Sequence, residues 1–216
     1  MYTKLDILNY FKWENLAKRY EFLDKHFECD FGDTIIDCGA QYGDISFYFH
    51  TKVGESGMVY AIEPCESVFQ CLCESVRYLD IKNVVPLRIA LSNKEKIERL
   101  YHSDRSKAAY SIVSGFDTQN NEFERVPAMT LDKIVKTHNI KQIDGVYMNI
   151  EGSEYICIDG MKETLEKFKP FILICDHIKS MPLGEYKDLR SILNSFGYEI
   201  IYDGIKSGVD NKVIAK

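Results

Sequence analysis

The chain has 216 residues, of which 45% are hydrophobic and 28% charged, with a formal net charge of −6. Such a length suits one well-buried domain, and the composition is that of an ordinary globular protein. Acidic and basic residues interleave, which excludes the basic stripe of a nucleic-acid binder, and no apolar run approaches the ~20 residues of a membrane helix. Met1–Asp6 is followed by no apolar signal-peptide core, so the expectation is a cytoplasmic enzyme. The seven cysteines include no Cys-x-x-Cys pair; Cys38, Cys157 and Cys175 lie in apolar runs and read as small buried hydrophobes, not as a disulfide scaffold.

Residues 1–30 carry Leu5, Leu8, Phe11 and Trp13, then Leu16, Tyr20, Leu23 and Phe27, at helical spacing. Two helices are predicted, with a break near residues 13–15. Residues 1–32 are assigned to an N-terminal helical cap on the sheet, with a lid or a homodimer surface as open alternatives. Residues 33–216 are assigned to one ligand-binding domain. From Asp33 the pattern alternates: a strand at 34–38, a helix at 43–53, a strand at 58–62, a helix at 66–79 and a strand at 84–90. This predicts an α/β fold, a parallel sheet with helices on both faces.

Between 93 and 128 the helical period disappears. Short β-like pieces at 97–101 and 123–127 flank a polar loop, 103–121, and this excursion suits substrate contacts. Thr130 is placed to cap a helix over 131–137. A strand over 144–150, a helix over 153–168 and a strand over 171–175 follow. A helix at 185–196 stops at Gly197, and residues 198–202 and 212–215 form an antiparallel hairpin.

Ligands of open parallel sheets gather at the carboxyl ends of the strands. Here those ends carry Asp37, Glu63, Ala90, Asn149 with Glu151, and Asp176 with His177. The dinucleotide fingerprint G-x-G-x-x-G, counted from Gly39, fails at Gln41 and Asp44, and Asp44 would repel a phosphate at the helix N-terminus. No P-loop is present. Acidic strand ends without positive charge suit a phosphate-free, cationic nucleoside, which points to S-adenosylmethionine. Glu63 would hold the ribose hydroxyls, and Gly39 would let the methionine portion lie along the backbone. Methyl transfer needs an aligned acceptor oxygen and a nearby base. His177, the one histidine at a predicted strand end, is the base candidate. Asp176 would orient it, or join Asn149 and Glu151 as oxygen ligands of Mg²⁺; no metal is assigned.

The same residues carry a resemblance. Asp-Cys-Gly-Ala-Gln-Tyr-Gly at 37–43 and Ala-Ile-Glu-Pro at 61–64 resemble the first two motifs of class I S-adenosylmethionine-dependent methyltransferases, and most resemble the FkbM family. Ile89–Ser92, the segment from Val126 to Asp132, Ile150–Glu154 and Pro170–Asp176 match further family motifs in order. The chain departs from the family pattern at Gln41, Tyr147, Asn149 and Asp176, where asparagine, lysine, aspartate and glutamate are usual. The resemblance implies a Rossmann-like, mostly parallel seven-stranded sheet of order 3-2-1-4-5-7-6 with its last strand antiparallel. It also implies O-methylation of a hydroxyl on a small molecule, sugar or glycan precursor. The cofactor-binding set is then Asp37, Gly39, Ala40, Gly43, Glu63, Pro64, Ala90, Leu91 and Asn149, and the catalytic set His177, Asp176 and Glu151. Two rivals stand beside it: a dinucleotide-dependent oxidoreductase, and a non-catalytic relative that keeps the fold.

Overall fold

The computed structural model describes residues 13–102, 110–115, 122–180, 188–207 and 210–216. In chain order the described elements begin with helix α1 (Trp13–His26), strand β1 (Thr34–Cys38), α2 (Asp44–Val53), β2 (Met58–Ile62), α3 (Glu66–Tyr78) and β3 (Val84–Leu87). Next come β4 (Ala90–Leu91), β5 (Lys96–His102), β6 (Tyr110–Ser111), β7 (Phe123–Met129), α4 (Leu131–Thr137) and β8 (Gly145–Met148). The last third holds α5 (Glu154–Cys157), α6 (Lys162–Phe168), β9 (Phe171–Cys175), α7 (Leu189–Ser195), β10 (Ile200–Asp203), α8 (Gly204–Ser207) and β11 (Lys212–Ala215).

Seven strands form the main sheet in the order β10-β11-β9-β8-β1-β2-β3. β1 lies inside it, parallel to both β2 and β8, while β11 runs antiparallel to β9 and β10. The inner strands are apolar on both faces because helices cover both. Alternation by two sends Ile36, Cys38, Val146, Met148, Ile172 and Ile174 to one core. It sends Ile35, Val59, Tyr147, Leu173 and Cys175 to the other. Helix α1 and the residue that follows it join this second core through Leu23 and Phe27, and the Phe27 ring lies 4.8 Å from Phe49 and 5.2 Å from Phe171. Its polar side grips the next helix: Arg19 reaches Asp44 at 2.5 Å, and the Tyr20 hydroxyl donates to the Asp44 carbonyl at 3.0 Å. Residues 1–12, which hold the first of the two predicted helices up to the expected break, lie outside the described residues.

The excursion after β3 is a second sheet of order β4-β7-β5-β6. The predicted strand over 84–90 therefore divides. β3 is an edge strand, where Pro86 is tolerated, and the chain turns after Leu87, with Ile89 N bonded to Leu87 O at 3.1 Å. Ala90 and Leu91 then pair with Ala128 and Met129. Of the polar loop, residues 103–109 and 116–121 lie outside the described residues. The predicted helix over 153–168 is broken into α5, a 3₁₀ turn at Ile158–Gly160, and α6. At the break a Cβ on Gly160 would stand 2.5 Å from the Ser92 carbonyl, so the backbone passes the start of the second sheet at close range. Thr130 caps α4 by accepting from Lys133 N at 3.0 Å. Helix α7 begins at Leu189 with Asp188 as its cap; residues 185–187 lie outside the described residues. All seven cysteines are free. Among the described residues no helix is long and apolar enough to cross a membrane.

Candidate functional site

β1 ends in a turn that is stitched to β2: the amides of Gly39 and Ala40 both donate to Ile62 O, at 3.0 and 2.9 Å. Gly39 has φ +86, and a Cβ there would lie 2.1 Å from the Asn149 carbonyl at the end of β8. Only glycine fits, because the ends of two neighbouring strands converge at that point. Gly43 has φ +97 and would press a Cβ onto Leu72 and Phe47, which fixes the entry into α2.

Glu63 follows β2 and is 3% exposed. Its two carboxylate oxygens accept from Gln41 N at 3.0 Å and Cys65 N at 2.9 Å. Burial raises its pKa to about 7 against the pull of those two amides, and the Glu124 and Asp37 carboxylates add to the rise. A cleft opens beside it. Gly39, Gln41 and Asn149 form one side, Ile62, Ile89, Ala90 and Leu91 an apolar wall, and Leu100, Tyr110 and Ile112 of the second-sheet region a roof. Glu151 and Ser153 close the end beyond β8. Glu151 holds a left-handed backbone, φ +52, that non-glycine residues seldom adopt. No lysine, arginine or histidine lines the cleft among the described residues.

Of the expected cofactor residues, Gly39, Glu63, Pro64, Ala90, Leu91 and Asn149 line this cleft. Asp37, Ala40 and Gly43 stand behind it. Asp37 points to the α1 and α2 side, fully buried; its Oδ2 accepts from Ser46 Oγ at 2.5 Å and its Oδ1 has no partner among the described residues. Burial lifts its pKa to about 7 despite the Ser46 bond. Ala40 is a core residue, 1% exposed.

The expected catalytic set separates. Glu151 faces the cleft, whereas Asp176 and His177 do not line it. Asp176 was expected to orient His177 or to bind a metal with Asn149 and Glu151. Its oxygens are instead occupied by the Tyr155 hydroxyl (2.5 Å), Ile178 N (2.9 Å) and Arg190 Nη1 (2.9 Å). His177 is oriented by Glu154, whose Oε1 lies 2.9 Å from Nδ1, and its Nε2 stands 3.7 Å from Glu151 Oε2. Burial opposes charge on the ring, but the Glu154 hydrogen bond and the carboxylates of Glu154, Glu151 and Asp176 outweigh it and raise the pKa to about 9. An imidazolium has no lone pair with which to accept a proton, so this raised pKa works against the expected base role of His177 at neutral pH. Tyr147, the site of one family departure, is buried on the α1 side with its hydroxyl 3.8 Å from Cys175 Sγ. The sequence reading missed the roof residues Leu100, Tyr110 and Ile112. Alternation along β5 marks Leu100 as an inward position, but nothing local says which pocket it covers.

Residues 37–200 match the family described as the methyltransferase FkbM domain, which covers more than half of the chain. The chain belongs to the FkbM methyltransferase family. No curated protein matches it. Among solved structures, an FkbM methyltransferase from Methylobacillus flagellatus KT aligns with a TM-score of 0.54 at 19% identity, over 78% of this chain and 39% of that one. This FkbM-family chain therefore spans about two fifths of that protein's length. Fibrillarin from Aeropyrum pernix, solved with natively bound S-adenosyl-L-methionine, aligns with a TM-score of 0.55 at 16% identity, over 92% and 73% of the two chains. A putative rRNA-methylase from Clostridium thermocellum gives 0.51 at 12% identity, over 93% and 92%. These similarities establish the Rossmann-like class I methyltransferase fold, in agreement with the strand order.

Proposed function

We propose that this FkbM-family chain transfers the methyl group of S-adenosylmethionine to a hydroxyl of a small molecule, sugar or glycan precursor. The observation that carries the reading is the buried carboxylate of Glu63, clamped by two backbone amides at the edge of a cleft that no cationic side chain lines among the described residues. Such a carboxylate accepts two hydrogen bonds from a ribose diol. The apolar wall at Ile89, Ala90 and Leu91 suits a purine ring. The side-chain-free backbone at Gly39 leaves room for an amino-acid tail. The cofactor, when bound, supplies a carbon already activated by its sulfonium. The protein's part is then to bind, align and receive a proton. In this reading Asn149 borders the transfer point and Glu151 receives the acceptor's proton. Residues 1–32 act as a cap over this domain of residues 33–216, with α1 as the described part.

A dinucleotide needs cations or an open helix N-terminus for its pyrophosphate. Asp44 occupies that terminus, 3% exposed and paired to Arg19. The test is transfer of labelled methyl from S-adenosylmethionine to hydroxylated acceptors. The reading predicts an alkali-stable ether product, strongly reduced in Glu151→Gln while S-adenosylhomocysteine still binds. Label found only in alkali-labile esters, or unchanged turnover in the variant, would overturn the assigned chemistry.

A further inference from the structure

A second depression lies on the other side of Asn149 from the cofactor cleft, and its charge is opposite. Lys18 and Arg19 of α1 and Lys212 of β11 line it, over a floor of Tyr147 and Cys175, and no carboxylate belongs to its lining among the described residues. The cofactor cleft carries the reverse pattern, with Glu63 and Glu151 and no cation among the described residues. Asn149 is the residue that borders both. Its side-chain amide makes no hydrogen bond among the described residues, so it can offer both a donor and an acceptor at the junction.

The cations are held in place differently. Arg19 is anchored on Asp44 at 2.5 Å. Lys212 Nζ lies 3.2 Å from Asp210 Oδ2 and 4.5 Å from the centre of the Phe22 ring. Lys18 has no ion-pair partner among the described residues. Their field reaches the floor: burial raises the Cys175 thiol to about 11, while the Tyr147 hydrogen bond, Lys212 and Arg19 pull against that rise. In a chain of net charge −6, three cationic side chains line this one depression, two of them paired with carboxylates outside its lining and Lys18 with none among the described residues.

We infer that this depression is the acceptor subsite and that it takes a hydroxylated anion, a carboxylate or phosphate held by Lys18 and Lys212, with its hydroxyl presented at Asn149 to the cofactor cleft. The inference rests on the methyl-transfer reading and adds the acceptor's charge to it. Opposite charges on the two sides of Asn149 steer the cationic cofactor and the anionic acceptor to different pockets and discourage either from entering the wrong one.

The test is calorimetry on the protein saturated with S-adenosylhomocysteine, titrated with glucose 6-phosphate, glucuronate and glucose. At least one anion is expected to bind ten or more times tighter than glucose, and the arm that does so identifies the headgroup as phosphate or carboxylate. The double variant Lys18→Gln/Lys212→Gln is expected to bring that anion to within about twofold of glucose, with S-adenosylhomocysteine binding unchanged as the control on folding. Glucose binding as tightly as both anions, or anion binding that survives the double substitution, would overturn the inference. Failure of S-adenosylhomocysteine to bind the unaltered protein would instead bring down the methyl-transfer reading and this inference together.

Discussion

Glu63 and Asp37 are both buried carboxylates with pKa values near 7, but only Glu63 faces the cleft. In the proposed binding mode the ribose diol needs the ionised form of Glu63 as acceptor. Affinity for S-adenosylhomocysteine should therefore rise as pH increases toward about 7 and level off above it, by up to about tenfold per pH unit on the acid side. Calorimetry between pH 5.5 and 8.5 checks this; a flat profile would remove Glu63 from the binding step. Asp37 has the opposite consequence for folding. Its folded pKa lies above its unfolded value, so the native state holds a proton that the unfolded chain has released. Stability from this group thus falls as pH rises from about 4 to 7, by about 1.4 kcal/mol per unit. Asp37→Asn should gain about 2 kcal/mol on the wild type between pH 5 and 7 in urea unfolding. A pH-independent difference would show that Asp37 is ionised when buried. Gly39 and Glu63 were legible in the sequence because a close backbone approach and a clamped acid each demand a particular residue type. The state of His177 was not, because Glu154, 23 positions away in the chain, sets it.

The turn after β1 and helix α1 each depend on a few contacts. Gly39→Ala places a methyl 2.1 Å from a backbone carbonyl at φ +86, and neither can yield without moving β1 from β8. A loss of at least ~2 kcal/mol is expected, together with loss of cofactor binding. A normal urea midpoint would show that the strand ends are not so tightly drawn together. α1 docks through Leu23 and Phe27 and through Arg19 on Asp44. Arg19 is 36% exposed while Asp44 is 3% exposed, so solvent screens one half of the pair. Arg19→Ala should cost about 1 kcal/mol, most of it from the carboxylate left buried, and an unchanged unfolding midpoint would argue against the pair. The alternating strands and helices were legible because apolar runs of buried parallel strands and the 3.6 period are local signals. The broken helix at Gly160 and the division after Leu87 were not, since both follow from where the second sheet lies.

At the level of the whole molecule, the FkbM motifs implied the order of the seven main-sheet strands, and the observed order agrees. The four-stranded sheet that roofs the cleft was legible only as a β-rich excursion. Its pairing of β5 with β7 joins segments more than twenty residues apart, and no local pattern specifies that register. The separation of charge across Asn149 was hidden for the same reason, because α1 and β11 stand at opposite ends of the chain and meet only in the fold. The proposed activity rests on the cleft beside Glu63, and direct titration tests it. Calorimetry with S-adenosylhomocysteine should show one site per chain, weakened some tens of fold by Glu63→Gln, as expected for about 2 kcal/mol of charge-assisted hydrogen bonding. NAD(H) should not bind under the same conditions. Binding of NAD(H) in place of S-adenosylhomocysteine, or a Glu63→Gln variant that binds as tightly as the wild type, would contradict the account.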